Sequence, residues 1–302
     1  MIAAIPILVL AGIAAGPLLA KMESVPLRRM LGWLLVGALL VAAHFAMPAQ
    51  PPFLRMVGLC CVLLAGMKGL VYAEWAGAET LTLPRYGAFS FLWFGMDPGT
   101  FRSRKTGLTW KRDIALGAIL TSVGLLGCWL VEFMGWRHIL VMFVPLSLGF
   151  HFGILRILKG LLRLAGFPVR TLFPNPLAAK GIGDFWGRRW NVGYSQMMQR
   201  LVGRPVEALL GKGAGVMAVF IGSGLLHEIA ITLPVRSGYG LPTLYFTLHG
   251  LLVLLEGKWN RPLGKIPALL AVAVPLPWLF PPDFRNEVIA PCIEVFGFLP
   301  GL

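Results

Sequence analysis

The 302-residue chain is 57% hydrophobic and only 13% charged, whereas soluble domains carry about 25% charged residues, so it has too little charge to coat a water-facing globule. Its net charge of +14 is not gathered in one patch: most Lys and Arg residues fall in four segments between apolar runs, 21–30, 74–112, 156–212 and 258–265. That distribution follows the positive-inside rule for cytoplasmic loops and argues against a nucleic-acid partner.

In chain order, apolar runs of spanning length stand at about 2–20, 29–47, 52–73, 113–134, 137–158, 214–233, 240–256 and 266–280, the last two short by bilayer standards. The first run has small residues near its end but lacks the positive n-region of a secretory signal, and is expected to be an uncleaved span starting on the non-cytoplasmic side. Alternation then puts the four basic segments on the cytoplasmic face. Arg55, Arg137, Arg236 and Arg285 are left outside or near that interface, with both termini outside.

Two of the cytoplasmic segments are too long and too apolar for plain linkers. Residues 74–112 hold FSFLWFGM followed by FRSRKTGLTWKR, and residues 159–212 mix cations with Trp186, Trp190 and a helical-looking stretch from Ser195 to Leu210. Both are expected to lie along or dip into the cytoplasmic leaflet. The predicted fold class is all-α: a polytopic transmembrane helix bundle of about eight spans, with interfacial or re-entrant cytoplasmic helices, forming one domain over residues 1–302.

Cys60, Cys61, Cys128 and Cys292 lie in apolar surroundings without a C-x-x-C pair, which argues against a disulfide framework or a zinc site. No Walker A loop, Rossmann glycine fingerprint or Asp-rich pair occurs, so the expected chemistry needs no bound cofactor. His227 stands in MAVFIGSGLLHEIAITL, and an ionisable group at membrane depth marks a functional site by default; the alternative is a structural His bonded to a neighbouring helix. Adjacent Glu228 points about 100° away on a helix and is expected to pair with an Arg or a backbone group. His151 and His249 are further intramembrane histidines, but no two of the five His are spaced at i, i+4 as a metal helix wants. Ser223 and His227 do have that spacing, which would suit a serine hydrolase pair, although G-S-G is not a nucleophile elbow. The FWGRRWN run, Phe185 to Asn191, suits a membrane interface, and taken alone is explained by an aromatic belt with basic anchors.

Three pieces in order, NPLAAKGIGDFWGRRWN (Asn175 to Asn191), GSGLLHE (Gly222 to Glu228) and FTLHGLLVLLE (Phe246 to Glu256), together resemble the wax synthase branch of the membrane-bound O-acyltransferases. The motif core is 175–256, and the multi-helix layout extends a looser likeness over the chain. The resemblance implies transfer of an acyl group from acyl-CoA, as co-substrate, to a hydroxyl of a hydrophobic alcohol inside a membrane chamber. It also implies that His227 is the catalytic histidine and Asn191 its polar companion. Arg188 and Arg189 beside the motif are the expected contacts for the polyanionic CoA head; Arg102, Arg104, Lys105, Lys111 and Arg112 are equally explained as topology determinants binding anionic lipid. Trp186, Trp190 and His249 complete the substrate-binding candidates.

The compactness of the chain and its richness in Ala, Gly and Arg suggest a bacterial cytoplasmic membrane. They leave the acceptor open among a fatty alcohol, a sterol-like lipid, a glyceride and a secondary-metabolite hydroxyl. Two other readings remain at this stage: a lipid or small-molecule transporter, on account of Gly/Pro-interrupted spans such as GYGLPTLYF, and an intramembrane hydrolase using Ser223 and His227.

Overall fold

The computed structural model describes residues 3–76, 80–136 and 138–295, and among them every regular element is a helix. Two compact units divide the chain, Met1–Arg104 and Lys105–Leu302. Arg137, one of the cations expected outside, lies outside the described residues.

The first unit holds α1 (Ala4–Ala20), α2 (Val25–Ala46), α3 (Pro52–Trp75) and α4 (Leu83–Phe91). Small residues let α1 and α3 approach closely: a methyl group at Gly12 would overlap the Gly66 backbone, and one at Gly69 would overlap the Gly12 carbonyl. Without a hydrophobic force between helices in lipid, such close packing is what holds them together. Lys68 on α3 is fully buried, and its Nζ donates to Phe89 O at 2.8 Å and Gly95 O at 2.6 Å while lying 3.9 Å from the Phe89 ring centroid. Arg29 and Glu74 pair at 2.6 Å. These ionisable groups in apolar surroundings are therefore matched rather than stranded.

The second unit holds α5 (Lys111–Phe133), α6 (Ile139–Leu164), α7 (182–189), α8 (192–210), α9 (Lys212–Val235), α10 (Leu241–Lys258), α11 (Lys265–Leu279) and α12 (Pro282–Glu294). Helices α5 and α6 meet where Gly124 faces Gly149 and Pro145, and at one end Asp113 gathers Arg156 at 3.2 Å, Lys159 at 2.8 Å and Arg163 at 3.5 Å. Helices α8 and α9 form a hairpin that turns at Gly211, whose φ of +86° only glycine adopts readily. Gly224 sits against Thr243 and Gly250 against Phe220, so α10 runs back along α9.

Five helices, α2, α3, α5, α6 and α9, are long and apolar enough to cross a membrane, or six if α11 and α12 form one broken span. That falls below the count of about eight expected from hydropathy. Three of the expected spans fall short for identifiable reasons. Helix α1 has 17 residues, α10 carries Glu256 and Lys258 within its 18, and α11, Lys265–Leu279, is short and ends at an 85° bend into α12. The bend falls at Pro281–Pro282, where two successive residues have no N–H to continue a helix.

Large apolar side chains cover the outside, among them Phe45 (70% exposed), Phe133 (73%) and Val274 (70%). Hydrocarbon is the solvent that such a surface fits, and the chain is a polytopic integral membrane protein. Of the two long basic segments, the first carries α4 and a 3₁₀ turn at Pro98–Phe101, and the second carries α7 and α8.

Replacing Gly69 by Val should overpack the α1–α3 contact and lower stability by about 1–3 kcal/mol, read as a lower melting temperature in detergent. Gly37→Ala, at a helical position where a methyl group meets nothing within 4 Å, should not lower it.

Candidate active site

His227 lies on α9, and its Nδ1 is 2.7 Å from the carbonyl oxygen of Ser223, one turn earlier on the same helix. A carbonyl can only accept, so Nδ1 carries the hydrogen, and in the neutral ring Nε2 holds the lone pair. The ring centroid is 4.4 Å from that of Phe246 and 6.0 Å from that of Tyr194. Ser223 gives its hydroxyl hydrogen to Val219 O at 2.7 Å. The i, i+4 pair thus meets through the serine's carbonyl rather than its hydroxyl, which is not the arrangement of an activated nucleophile. A π turn, Glu228–Thr232, follows His227 directly, a local widening often found at functional sites.

Asn191 stands between α7 and α8 in the left-handed region, φ 42° and ψ 59°, which Asn enters more readily than other non-glycine residues. Its Oδ1 accepts from Tyr194 N at 3.3 Å and so caps α8, and Val192 N donates to Leu172 O at 2.9 Å. Part of the FWGRRWN signal is therefore structural: the run ends one helix and starts the next. With Oδ1 engaged by the backbone, the amide nitrogen is the atom of Asn191 left for a ligand.

Both residues line one cavity of about 140 Å³. Trp186 and Trp190 from the motif, Tyr194 and Ser195 from α8, Ser223 from α9 and Phe246 from α10 surround its reactive end, while Met198, Val216, Val219 and Val253 make an aliphatic wall. Trp186 Nε1 and the Tyr194 hydroxyl are buried without a hydrogen-bond partner. Burial pushes the Tyr194 phenol up, against a smaller opposing effect of the Ser223 side chain, so the phenol keeps its proton. Trp190 also stacks on Phe185 at 5.7 Å and sits 5.0 Å from Phe173 and 5.4 Å from His151.

The remaining candidates separate from the cavity. His249 is fully buried behind Trp186, 5.6 Å between rings, and its Nε2 donates to Ala271 O at 3.1 Å. His151 lies behind Trp190 with Nδ1 3.0 Å from Ser147 Oγ. Arg189 is engaged by Asp184 at 2.6 Å and by Asn175 O at 3.3 Å, whereas the Arg188 side chain is 83% exposed, 3.9 Å from Asp184 and next to the cavity-lining Gly187. Glu228 turns away from His227, as its neighbouring position on the helix requires. Its Oε1 accepts from Gly240 N (3.0 Å), Thr243 N (3.1 Å) and Thr243 Oγ1 (2.8 Å), and its Oε2 from Thr232 Oγ1 (2.6 Å). It caps the start of α10, where a carboxylate also suits the helix dipole. Tyr194, Met198 and Val216 had no signal in the sequence, because each reads locally as an ordinary apolar-face residue; Val253 lies within the third motif piece, where nothing distinguishes it from its apolar neighbours.

Residues 169–248 match the model of the membrane bound O-acyl transferase family. Over 155 residues the chain is 31% identical to the probable long-chain-alcohol O-fatty-acyltransferase 2 of Arabidopsis thaliana, covering 44% of this chain and 45% of the relative. It is 28% identical over 144 residues to the acyl-CoA–sterol O-acyltransferase 1 of the same plant (41% and 42%), and 33% identical over 100 residues to the long-chain-alcohol O-fatty-acyltransferase of Simmondsia chinensis (30% and 28%). The chain thus spans less than half the length of these relatives. The resemblance to the wax synthase-like branch of the membrane-bound O-acyltransferases stands, and the matched stretch contains both Asn191 and His227.

Removing the Glu228 cap by Glu228→Ala should leave α10 N–H groups unpaired and lower stability by about 1–3 kcal/mol, measured by thermal unfolding in detergent. Burial acts to raise the Asp184 carboxyl, but hydrogen bonds from Arg189 and from Lys180 N, with the Arg189 and Arg188 charges, hold it below its ordinary 3.8. Its contribution to stability is present above that value and lost as pH falls through the lowered folded one. Asp184→Asn should therefore melt below the wild type at neutral pH, and the two melting curves should converge on acidification below 3.8.

Proposed function

We propose that this protein is an O-acyltransferase that moves an acyl group from acyl-CoA to the hydroxyl of a hydrophobic, lipid-like alcohol, using no bound cofactor and drawing its substrates from the membrane and its interface. The observation that carries this reading is the cavity shared by His227, with its Nδ1 anchored, and Asn191, with its Oδ1 engaged. In this mechanism Nε2 of His227 takes the proton of the acceptor hydroxyl as its oxygen attacks the thioester carbonyl carbon. The carbonyl oxygen becomes an oxyanion, to which the Asn191 amide donates in a site with little water. Collapse breaks the C–S bond, and the proton on Nε2 passes to the departing CoA sulfur, leaving ester, free thiol and neutral imidazole.

The cavity supports a division of the substrates. At about 140 Å³ it is smaller than the roughly 300–1,000 Å³ of sites that enclose a drug-sized ligand, so it holds the reacting ends while chains and head groups extend beyond it. Arg188, next in sequence to the cavity-lining Gly187 and with a largely exposed side chain only loosely paired to Asp184, is the cation we assign to a phosphate of the CoA head. The similarity to alcohol and sterol acyltransferases supports an alcohol acceptor.

Purified protein in detergent, given labelled acyl-CoA and a panel of alcohols, should form ester and free CoA. His227→Ala should lower kcat by about 10²–10⁴, while Ser223→Ala, which keeps the carbonyl that holds the ring, should stay active. Wild-type turnover by His227→Ala would end the proposal, and flux in proteoliposomes without consumption of acyl-CoA would point to a carrier instead.

A further inference from the structure

Glu256 closes the third motif piece, lies beyond the matched residues 169–248, and takes no part in the chemistry above. Its carboxylate is nonetheless heavily engaged. Oε1 accepts from Ile182 N and from Leu263 N, each at 2.9 Å, and Oε2 accepts from Gly183 N, also at 2.9 Å. Among the described residues it has no salt bridge, so backbone N–H groups alone answer its charge. Two of them are orphan donors at the start of α7, which has no preceding turn to bond them. The sequence makes room for this approach at Gly181, where a methyl group would overlap Glu256 Oε1 and crowd Pro262.

These bonds join two walls of the cavity. Gly183 on α7 lines one side and Val253 on α10 lines another, and Glu256 sits three residues beyond Val253 while bonding the N–H of Gly183 itself. This end is remote from the chemistry. Phe246 is beside His227, Gly250 faces Phe220 and Leu254 faces Gly213, so α10 carries the walls away from the imidazole as it runs towards Glu256. Val216 and His227, eleven positions apart on α9, line opposite ends and are separated by about 16 Å of helix.

Resting on the acyl-transfer reading, we infer that Glu256 is a positioning residue that fixes the width of the cavity at its Gly183–Val253 end, and so governs which substrates are held rather than the proton transfer at His227. Loss of the clamp frees the start of α7 to move. The other end of the motif stays anchored by the Asn191 cap and the Val192–Leu172 bond.

Wild type, Glu256→Ala, Glu256→Gln and Gly181→Ala are to be compared in detergent by amide hydrogen exchange and by kinetics with acyl-CoA and alcohols of increasing bulk. In Glu256→Ala the Ile182, Gly183 and Leu263 amides should exchange faster, KM should rise by about tenfold and bulkier alcohols should become substrates, with kcat per folded molecule within about threefold. Gly181→Ala, which displaces the carboxylate without touching the cavity lining, should reproduce this. Glu256→Gln, keeping one carbonyl oxygen for two of the three bonds, should fall between and serves if the alanine variant does not fold.

Equal exchange at those three amides in wild type and variants would overturn the clamp. So would unchanged KM and unchanged alcohol selection with only a lower melting temperature, since a merely structural glutamate would behave that way. The exchange measurement does not depend on ester formation, so a wild type that makes no ester would remove the acyl-transfer reading and leave the clamp to be decided separately.

Discussion

The constraint on which the second unit depends is that a backbone N–H or C=O away from water must find its partner inside the protein. A long uninterrupted helix meets that demand by itself. A broken one does not, and the segment from residue 182 to residue 264 is broken repeatedly, at Trp190–Asn191, at Gly211, between α9 and α10, and after Lys258. The freed groups are answered by side chains placed for the purpose. Asn191 caps α8, Glu228 reaches from α9 to the start of α10, and Glu256 reaches from the end of α10 to the start of α7. Helices interrupted and held in this way can tilt and separate enough to leave a cavity, which close-packed uninterrupted helices would fill.

The same economy shapes the reactive groups. His227 takes its orienting bond from its own helix, Nδ1 to the Ser223 carbonyl, so the tautomer is fixed without a second acidic residue. The carboxylate beside it in sequence is spent on architecture. Asn191 has a double role, since the oxygen that caps α8 also determines which atom of the amide is left to face the cavity. FWGRRWN divides similarly. Trp186, Trp190 and Asn191 line the cavity, while Phe185 stacks beneath Trp190 and Arg189 ties the turn to Asp184 and Asn175. A basic aromatic run that looks like one feature is thus a lining and a frame interleaved.

The first unit uses different means for the same problem. Its helices α1 and α3 pack through glycines, and the fully buried Lys68 is met by carbonyls and a ring face rather than by an acid. Where a polar side chain is buried in apolar surroundings, its hydrogen bonds specify one arrangement of the elements around it. Lys68 does so for the stretch from Phe89 to Gly95.

Hydropathy and the placement of Lys and Arg determined the all-helical, membrane-embedded class, because both are sums over many residues and survive local irregularity. The ordered motif pieces marked His227 and Asn191, since an imidazole in an apolar run is visible one residue at a time. Only the tertiary structure decided how many helices are long enough to span, because it sets where α1 ends and where α11 stops ahead of the 85° bend into α12. It also decided that Tyr194, Val216 and Val253 share a cavity with the motif while His249 does not, and that Glu228 and Glu256 serve distant helix starts. The Glu228 and Glu256 contacts with those helix starts join residues from a dozen to more than seventy positions apart, and a side chain's partner across that distance is set by packing, which no local pattern records.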